Sequence, residues 1–150
     1  MQALLFCGRV LLVLTFAFAG AQKLLNIAGT ASVIASKVAL PPVLAGIAGN
    51  IEAVTGMSMP QFLAILTGAL ELAAAVLIVF NVGVRPMTFL LIIFTAVGIY
   101  FFNDFWNVSG DAQAASLVDA LQNISIIGAL VILLAIGSTR LGRPERLDEI

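Results

Sequence analysis

The stretch Gly68-Ala69-Leu70-Glu71-Leu72-Ala73-Ala74-Ala75 lies inside the apolar run 62–80. Glu71 is the only charged residue between Glu52 and Arg85. The run is long enough to cross a bilayer, which takes about 20 predominantly apolar residues. An unpaired carboxylate in hydrocarbon costs at least about 2.5–3.5 kcal/mol. The stretch therefore predicts a membrane span. Glu71 must then be paired with another residue, be protonated, or serve a function.

The amino-acid composition is typical of a polytopic membrane protein. Of the 150 residues, 61% are hydrophobic and 10% are charged, whereas soluble domains contain about 45–50% apolar and about 25% charged residues. The formal net charge is −1, and Lys/Arg residues are concentrated only in a short terminal tail. This balance argues against a nucleic-acid partner, which would require a basic surface.

The single cysteine, Cys7, and the absence of histidine restrict the possible chemistry. One cysteine excludes an internal disulfide and a CxxC redox relay. Without histidine, His-ligated haem, the common zinc sites and the usual proton shuttle are excluded. The sequence thus shows no haem site, no metal site and no self-contained catalytic constellation.

Four spans are predicted by hydropathy and by helix start and stop signals. They lie within residues 1–27, from 60 to about 80, over 87–102, and from 119 or 120 to 137. Ser58 is a candidate N-cap for the second span. The predicted fold class is an all-α membrane protein, a four-transmembrane-helix bundle. A signal peptide is the alternative interpretation of the first span, because Arg9 precedes an apolar run that ends in a cleavage-like Ala17-Phe18-Ala19.

Residues 28–59 are apolar but interrupted by glycines and by Pro41-Pro42. Their longest uncharged piece, 38–51, is shorter than a span. We expect short interfacial or re-entrant helices between spans one and two, at the outer surface. The competing interpretation is an extra span, which would reverse the orientation of everything after it.

The distribution of basic residues predicts the orientation. Arg9, Arg85 and the arginines of the tail fall on one side of a four-span arrangement. The positive-inside rule makes that side cytoplasmic, so we expect both termini in the cytoplasm. We further expect a membrane domain over 1–137 and a charged cytoplasmic tail over 138–150.

Helix rise predicts a layer of polar residues in the outer half of the bundle. Lys23 lies 14 residues after Arg9, and Glu71 lies 14 residues before Arg85. Both are therefore roughly 21 Å from the same plane. Tyr100 and Asn123 fall at nearly the same depth on the other two spans. The candidate polar layer is thus Lys23, Glu71, Tyr100 and Asn123.

Two interpretations of this layer are open. It is either a structural ion pair with its supporting hydrogen bonds, or a site for a polar ligand, a quinone head group or a proton path that opens toward the outer face. The candidate residues at the outer face itself are Glu52, Asn103, Asp104 and Trp106.

Several short motifs resemble the DoxX family of small four-helix membrane proteins. They are Arg9…Phe16-Ala17-Phe18-Ala19-Gly20-Ala21-Gln22-Lys23-Leu24, Leu40-Pro41, the segment around Glu52, Glu71 in its Gly-Ala-Leu-Glu-Leu run, Arg85, Asn103-Asp104-Phe105-Trp106, and Gln122-Asn123 before Gly128. The resemblance covers residues 9–137. Relatives often carry His before Phe-Trp and Lys before Asn, where this chain has Asp104 and Gln122, so no role of those two side chains is carried over.

The resemblance implies a role beside redox enzymes. Family members have been linked to the membrane part of a thiosulfate:quinone oxidoreductase and to a redox-stress complex with superoxide dismutase. We therefore expect a multi-pass protein of the bacterial inner membrane that is a non-catalytic or quinone-facing subunit of a redox system, at most a membrane subunit of an oxidoreductase. Quinone is the cofactor this suggests, and the expected partners are lipid and either a redox enzyme or a second copy. The alternatives are a membrane chaperone, assembly or lipid-binding module, and a small oligomeric transporter.

Overall fold

The computed structural model describes residues 2–38 and 45–137, and every regular element in these ranges is an α-helix. The helices are α1 (Gln2–Leu25), α2 (Ile27–Lys37), α3 (Ala45–Thr55), α4 (Met59–Val79), α5 (Val84–Phe102) and α6 (Asp111–Ile136). The predicted tail 138–150 and the Pro41-Pro42 pair lie outside the described residues.

Four of these helices, α1, α4, α5 and α6, are long and apolar enough to cross a membrane. By contrast, α2 and α3 have 11 residues each, or about 17 Å of helix against a hydrocarbon thickness of about 30 Å. The predicted fold class, an all-α four-span membrane bundle with short helices between spans one and two, is therefore confirmed.

The last helix begins earlier than the sequence suggested. We expected a polar loop up to about residue 118, but α6 begins at Asp111 and has 26 residues. Its length is about 39 Å, which exceeds the hydrocarbon thickness. Asp111 in the first turn favours this earlier start, because a carboxylate is stabilised at a helix N-terminus.

The first span ends in a break that the structure places at Asn26. This residue separates α1 from α2, and its side-chain Oδ1 accepts a hydrogen bond from the Gly29 backbone N–H at 3.0 Å. The amide thus caps the start of α2. Beyond this cap, α2 packs on α4 through Ala31, Ile34 and Ala64.

The closest helix pair is α1 with α4, and two glycines lie at their crossing. A Cβ on Gly20 would fall 2.7 Å from the Gly68 carbonyl oxygen and 2.9 Å from the Leu72 backbone N. A Cβ on Gly68 would fall 3.1 Å from the Gly20 carbonyl oxygen. Backbone contact of this kind is how small residues hold helices together in lipid, where no hydrophobic force acts between them.

The tightly packed core occupies one end of the bundle. Its buried members are Val13, Phe16, Ala74, Ala75, Ile78, Val84, Leu91, Leu130 and Leu133. Most lie within one or two helical turns of Arg9 or of its hydrogen-bond acceptors Asn81 and Gly137. We call this end the Arg9 end. The opposite end, where Lys37 forms an ion pair with Asp104 at 3.1 Å, is the Lys37 end.

Thr88 is a fully buried residue of α5 whose hydroxyl has no hydrogen-bond partner among the described residues. A buried polar group left in this state costs roughly 1–3 kcal/mol. We expect Thr88→Val, which has nearly the same shape, to raise the free energy of unfolding by about 1 kcal/mol. Denaturation by SDS in mixed micelles measures this value.

The control for this substitution is Thr95→Val on the same helix. Thr95 is also buried, but its hydroxyl donates to the Leu91 carbonyl at 2.8 Å. Removing a bonded hydroxyl should bring no gain. Equal stabilisation by the two valines would show that the Thr88 hydroxyl is not the cause.

Candidate functional site

Lys23 and Glu71 form an ion pair between α1 and α4. The Lys23 Nζ lies 2.6 Å from each of the two Glu71 carboxylate oxygens. The two partners differ in exposure, since 27% of the lysine side chain is accessible against 4% of the glutamate side chain. The pair therefore presents its ammonium group outward and keeps its carboxylate inside.

The glycine crossing explains how the two side chains meet. Lys23 follows Gly20 by three residues, and Glu71 follows Gly68 by three residues. The helices run antiparallel, because Arg9 near the start of α1 contacts Asn81 just after the end of α4. Helical side chains lean back toward the N-terminus of their own helix. Both side chains therefore lean toward the crossing, one from each side of it.

A large groove opens on the lysine side of the pair. Its volume is about 1040 Å³, and its walls come from α1, α2, α4 and α5. We call it the lateral groove and define it by Lys23, Asn26, Val33, Thr67, Val97 and Phe101. Most of its wall is apolar. The Lys23 Nζ also lies 5.0 Å from the centroid of the Phe94 ring, within range of a cation–π contact.

A smaller cavity lies on the glutamate side. Its volume is about 210 Å³, and its polar lining groups are Thr15, Glu71, Thr95, Asn103 and Asn123. We call it the polar cavity. Ala19, Phe94, Gly98 and Phe102 line both spaces. The ion pair thus lies in the partition between an apolar groove and a polar cavity.

The structure brings three of the four predicted layer residues together and leaves the fourth apart. Lys23 and Glu71 are in contact, and Asn123 shares the polar cavity with Glu71. Tyr100, in contrast, is 65% exposed and lines neither space. Its ring packs beside Phe101 and Trp106. Helix rise predicts depth alone, and Tyr100 is rotated away from Gly98, the cavity-lining residue two positions earlier.

The four predicted outer-face residues have different environments. Asn103 is buried, and its Oδ1 accepts a hydrogen bond from the Asn123 amide at 3.2 Å. Asp104 pairs with Lys37. Trp106 is half exposed within the aromatic cluster. Glu52 is exposed on α3 and forms no ion pair within residues 2–38 and 45–137. These residues do not form one common site.

A polar cluster at the Arg9 end was not predicted from the sequence. Arg9 served there only as the reference from which the depth of Lys23 was counted. Arg9 is 6% exposed. Its guanidinium donates to the Asn81 Oδ1 at 2.6 Å and to the Gly137 carbonyl at 2.9 Å. Asn81 has a left-handed backbone with φ 61°. Arg9 therefore joins α1 to the α4–α5 turn and to the C-terminus of α6. The sequence signal for this role is one arginine inside an apolar helix, which signals a buried partner.

We expect Arg9→Lys to lower the free energy of unfolding by roughly 1–3 kcal/mol, because lysine lacks the planar fork that reaches two acceptors at once. Arg85→Lys is the comparison, since Arg85 is exposed and its guanidinium only lies beside Gly137, whereas Arg9 is buried and bonds to two acceptors. SDS titration of both variants measures the difference. Equal losses would mean that the fork geometry of Arg9 is unimportant.

The described residues contain no group of three or more His, Cys, Asp or Glu side chains able to hold a metal ion. The chemistry that the site offers is therefore that of one ammonium, one carboxylate, and the amides and hydroxyls of the polar cavity. It can bind hydrogen-bonding groups and exchange protons.

The four long apolar helices, joined by the Lys23–Glu71 ion pair between α1 and α4, define a small four-span integral membrane protein. The family model described as DoxX matches residues 4–104, and the chain belongs to this family. Among curated proteins, it is similar to "Inner membrane protein YphA" of Escherichia coli (strain K12), with 29% identity over 143 residues, covering 95% of this chain and 89% of the relative. No solved structure matches the chain.

Proposed function

We propose that this protein is a small quinone-binding membrane subunit of a bacterial redox system. The observation that carries the proposal is the Lys23 ammonium in the wall of a mostly apolar groove. Ligand sites are typically apolar clefts of about 300–1,000 Å³ with a few placed polar groups, and the lateral groove has this character.

The charge state of the site favours a neutral head group. An ammonium has three N–H donors, and the two oxygens of Glu71 account for two of them. One donor remains for a ligand oxygen. Because Glu71 already balances the lysine charge, a neutral carbonyl fits better than a second anion. A quinone offers such a carbonyl on a flat ring, with an apolar tail suited to the groove.

Binding of decylubiquinone to the protein in nanodiscs tests the proposal. Wild type should bind, and the double variant Lys23→Met/Glu71→Gln should bind roughly tenfold or more weakly, a loss of about 1.4 kcal/mol for one hydrogen bond to a charged group. The double variant removes both charges together, so no buried charge is left alone.

The control is Lys37→Met/Asp104→Asn, which removes the other described ion pair, outside the groove. Its quinone affinity should equal that of wild type. Equal affinities of the two double variants, or no binding by wild type, would contradict a quinone site at Lys23. Tighter retention of phospholipid than of quinone would instead favour a lipid-binding module.

The redox partner is tested separately, in membranes. Bacteria with and without the gene should differ in the rate at which an added quinone analogue is reduced, and a quinone-linked enzyme should co-purify with the protein. If neither occurs although quinone binds, the protein carries quinone without belonging to an enzyme complex.

The proposed location is the bacterial inner membrane, which is the location in the name of the E. coli relative. We further propose that the Arg9 end faces the cytoplasm, because Arg9 and Arg85 lie there. Activity of a phosphatase or fluorescent reporter fused after Ile150 tests this orientation.

A membrane-assembly module is a second candidate, supported by the exposure of α3. Val54 is 86% exposed and Ile47 51% exposed, so this short apolar helix offers a surface to another membrane protein. A photo-crosslinker at Val54 should then capture a defined partner, whereas one at lipid-facing Phe89 should not.

A further inference from the structure

The polar cavity differs from the lateral groove in the chemistry of its walls. Two asparagine amides, two threonine hydroxyls and the Glu71 carboxylate line about 210 Å³, together with apolar residues such as Phe16, Phe94 and Ile126. A water molecule needs a site of about 10–15 Å³ and two to four polar partners. This cavity offers room and hydrogen-bonding groups for several molecules, within a bundle that is otherwise packed with apolar side chains.

The cavity lies between the packed core and the Lys37 end of the bundle. Toward the Arg9 end it is closed by the packed core, in which Leu91 and Leu130 are fully buried. Toward the Lys37 end its last lining residue is Asn103, which ends α5 and precedes Asp104 of the exposed ion pair. The hydrogen bond from Asn123 to Asn103 therefore lies between Glu71 and that end.

We propose that the polar cavity is a water-filled proton path that connects Glu71 with the Lys37 end of the bundle. Glu71 faces this water on one side and holds Lys23 on the other, so the path and the ligand groove meet at the ion pair. A hydronium ion in the cavity donates one proton to a Glu71 oxygen, forming its O–H bond and leaving a water molecule. Only the use of this proton by a bound quinone rests on the proposed function; the path itself does not.

Thiol labelling in nanodiscs tests the path without any quinone. In a Cys7→Ser background, Thr95→Cys places a thiol in the cavity, and aminoethyl methanethiosulfonate is the water-soluble probe. A thiol reacts as its thiolate, which requires water, so we expect Thr95→Cys to react roughly tenfold or more faster than Leu91→Cys, one turn deeper in the core. Adding Asn123→Leu should close the path and slow the Thr95→Cys reaction.

A lipid-facing control distinguishes access to water from exposure of the side chain at the surface of the protein. Ile124 is 53% exposed on α6 beside Asn123, and Ile124→Cys should react slowly because its surroundings are hydrocarbon. If Thr95→Cys reacts no faster than Leu91→Cys, the cavity is dry and the proposal is overturned.

Hydroxyl-radical footprinting of the unmodified protein covers the case in which a cysteine variant fails to fold. Radicals generated from local water should oxidise Ile126, which lines the cavity, more than Ile132, which is 64% exposed on the lipid side. Equal oxidation of the two would also overturn the path. If Thr95→Cys is labelled but quinone does not bind, the proton path is supported and the quinone site is contradicted. The two proposals can therefore fail separately.

Discussion

Replacing Lys23 by methionine is expected to destabilise the protein by about 3–5 kcal/mol, because it leaves the Glu71 carboxyl group inside the bundle without its cationic partner. The Glu71 side chain is only 4% exposed, and both of its oxygens lie 2.6 Å from the Lys23 Nζ. The adjoining polar cavity supplies amides and hydroxyls but no other cation among its lining residues. SDS titration, read out by circular dichroism, measures the loss.

The double variant decides whether the loss comes from the unpaired charge. Lys23→Met combined with Glu71→Gln should be more stable than Lys23→Met alone, since a neutral amide costs much less to bury than a carboxylate. Additive effects of the two substitutions would mean that the pair does not interact. Lys37→Met is the external control, because its ion pair is exposed and should contribute less than about 1 kcal/mol.

Gly20→Ala should lower the free energy of unfolding by about 1–3 kcal/mol, the usual cost of forcing extra volume into a packed contact. Its Cβ would lie 2.7 Å from the Gly68 carbonyl oxygen, and backbone atoms cannot rotate out of the way. The helices must separate, and the ion pair three residues beyond each glycine separates with them.

Gly8→Ala is the control on the same helix, and its effect should have the opposite sign. A Cβ on Gly8 meets nothing within 4 Å, and alanine in a helix interior is favoured over glycine by about 0.5–1 kcal/mol. If both alanines stabilise the protein, α1 and α4 do not depend on close contact at Gly20.

Hydropathy was sufficient to predict the four spans, because each is a long apolar run and only helices satisfy their backbone in lipid. Hydropathy did not predict where α6 begins, because the first turns of this helix are polar. The rule that helices crossing a bilayer need about 20 apolar residues describes the buried length alone.

Counting residues along the helices predicted that Lys23 and Glu71 lie at the same depth in the bilayer. In the structure the two side chains form an ion pair. The same arithmetic does not tell which side of its helix Tyr100 occupies, and in the structure Tyr100 is exposed and lines neither the groove nor the cavity. Neighbouring residues are rotated by about 100°. The separation of the groove from the polar cavity could not be predicted, since it depends on how far α1 and α5 stand apart, and this distance is set by all the helices together.

The Arg9 cluster has a consequence for the order in which the protein is made. Arg9 lies in α1, which is synthesised before the other described helices, but its acceptors Asn81 and Gly137 follow 72 and 128 residues later. The complete contact set therefore exists only after α6 has been translated and inserted.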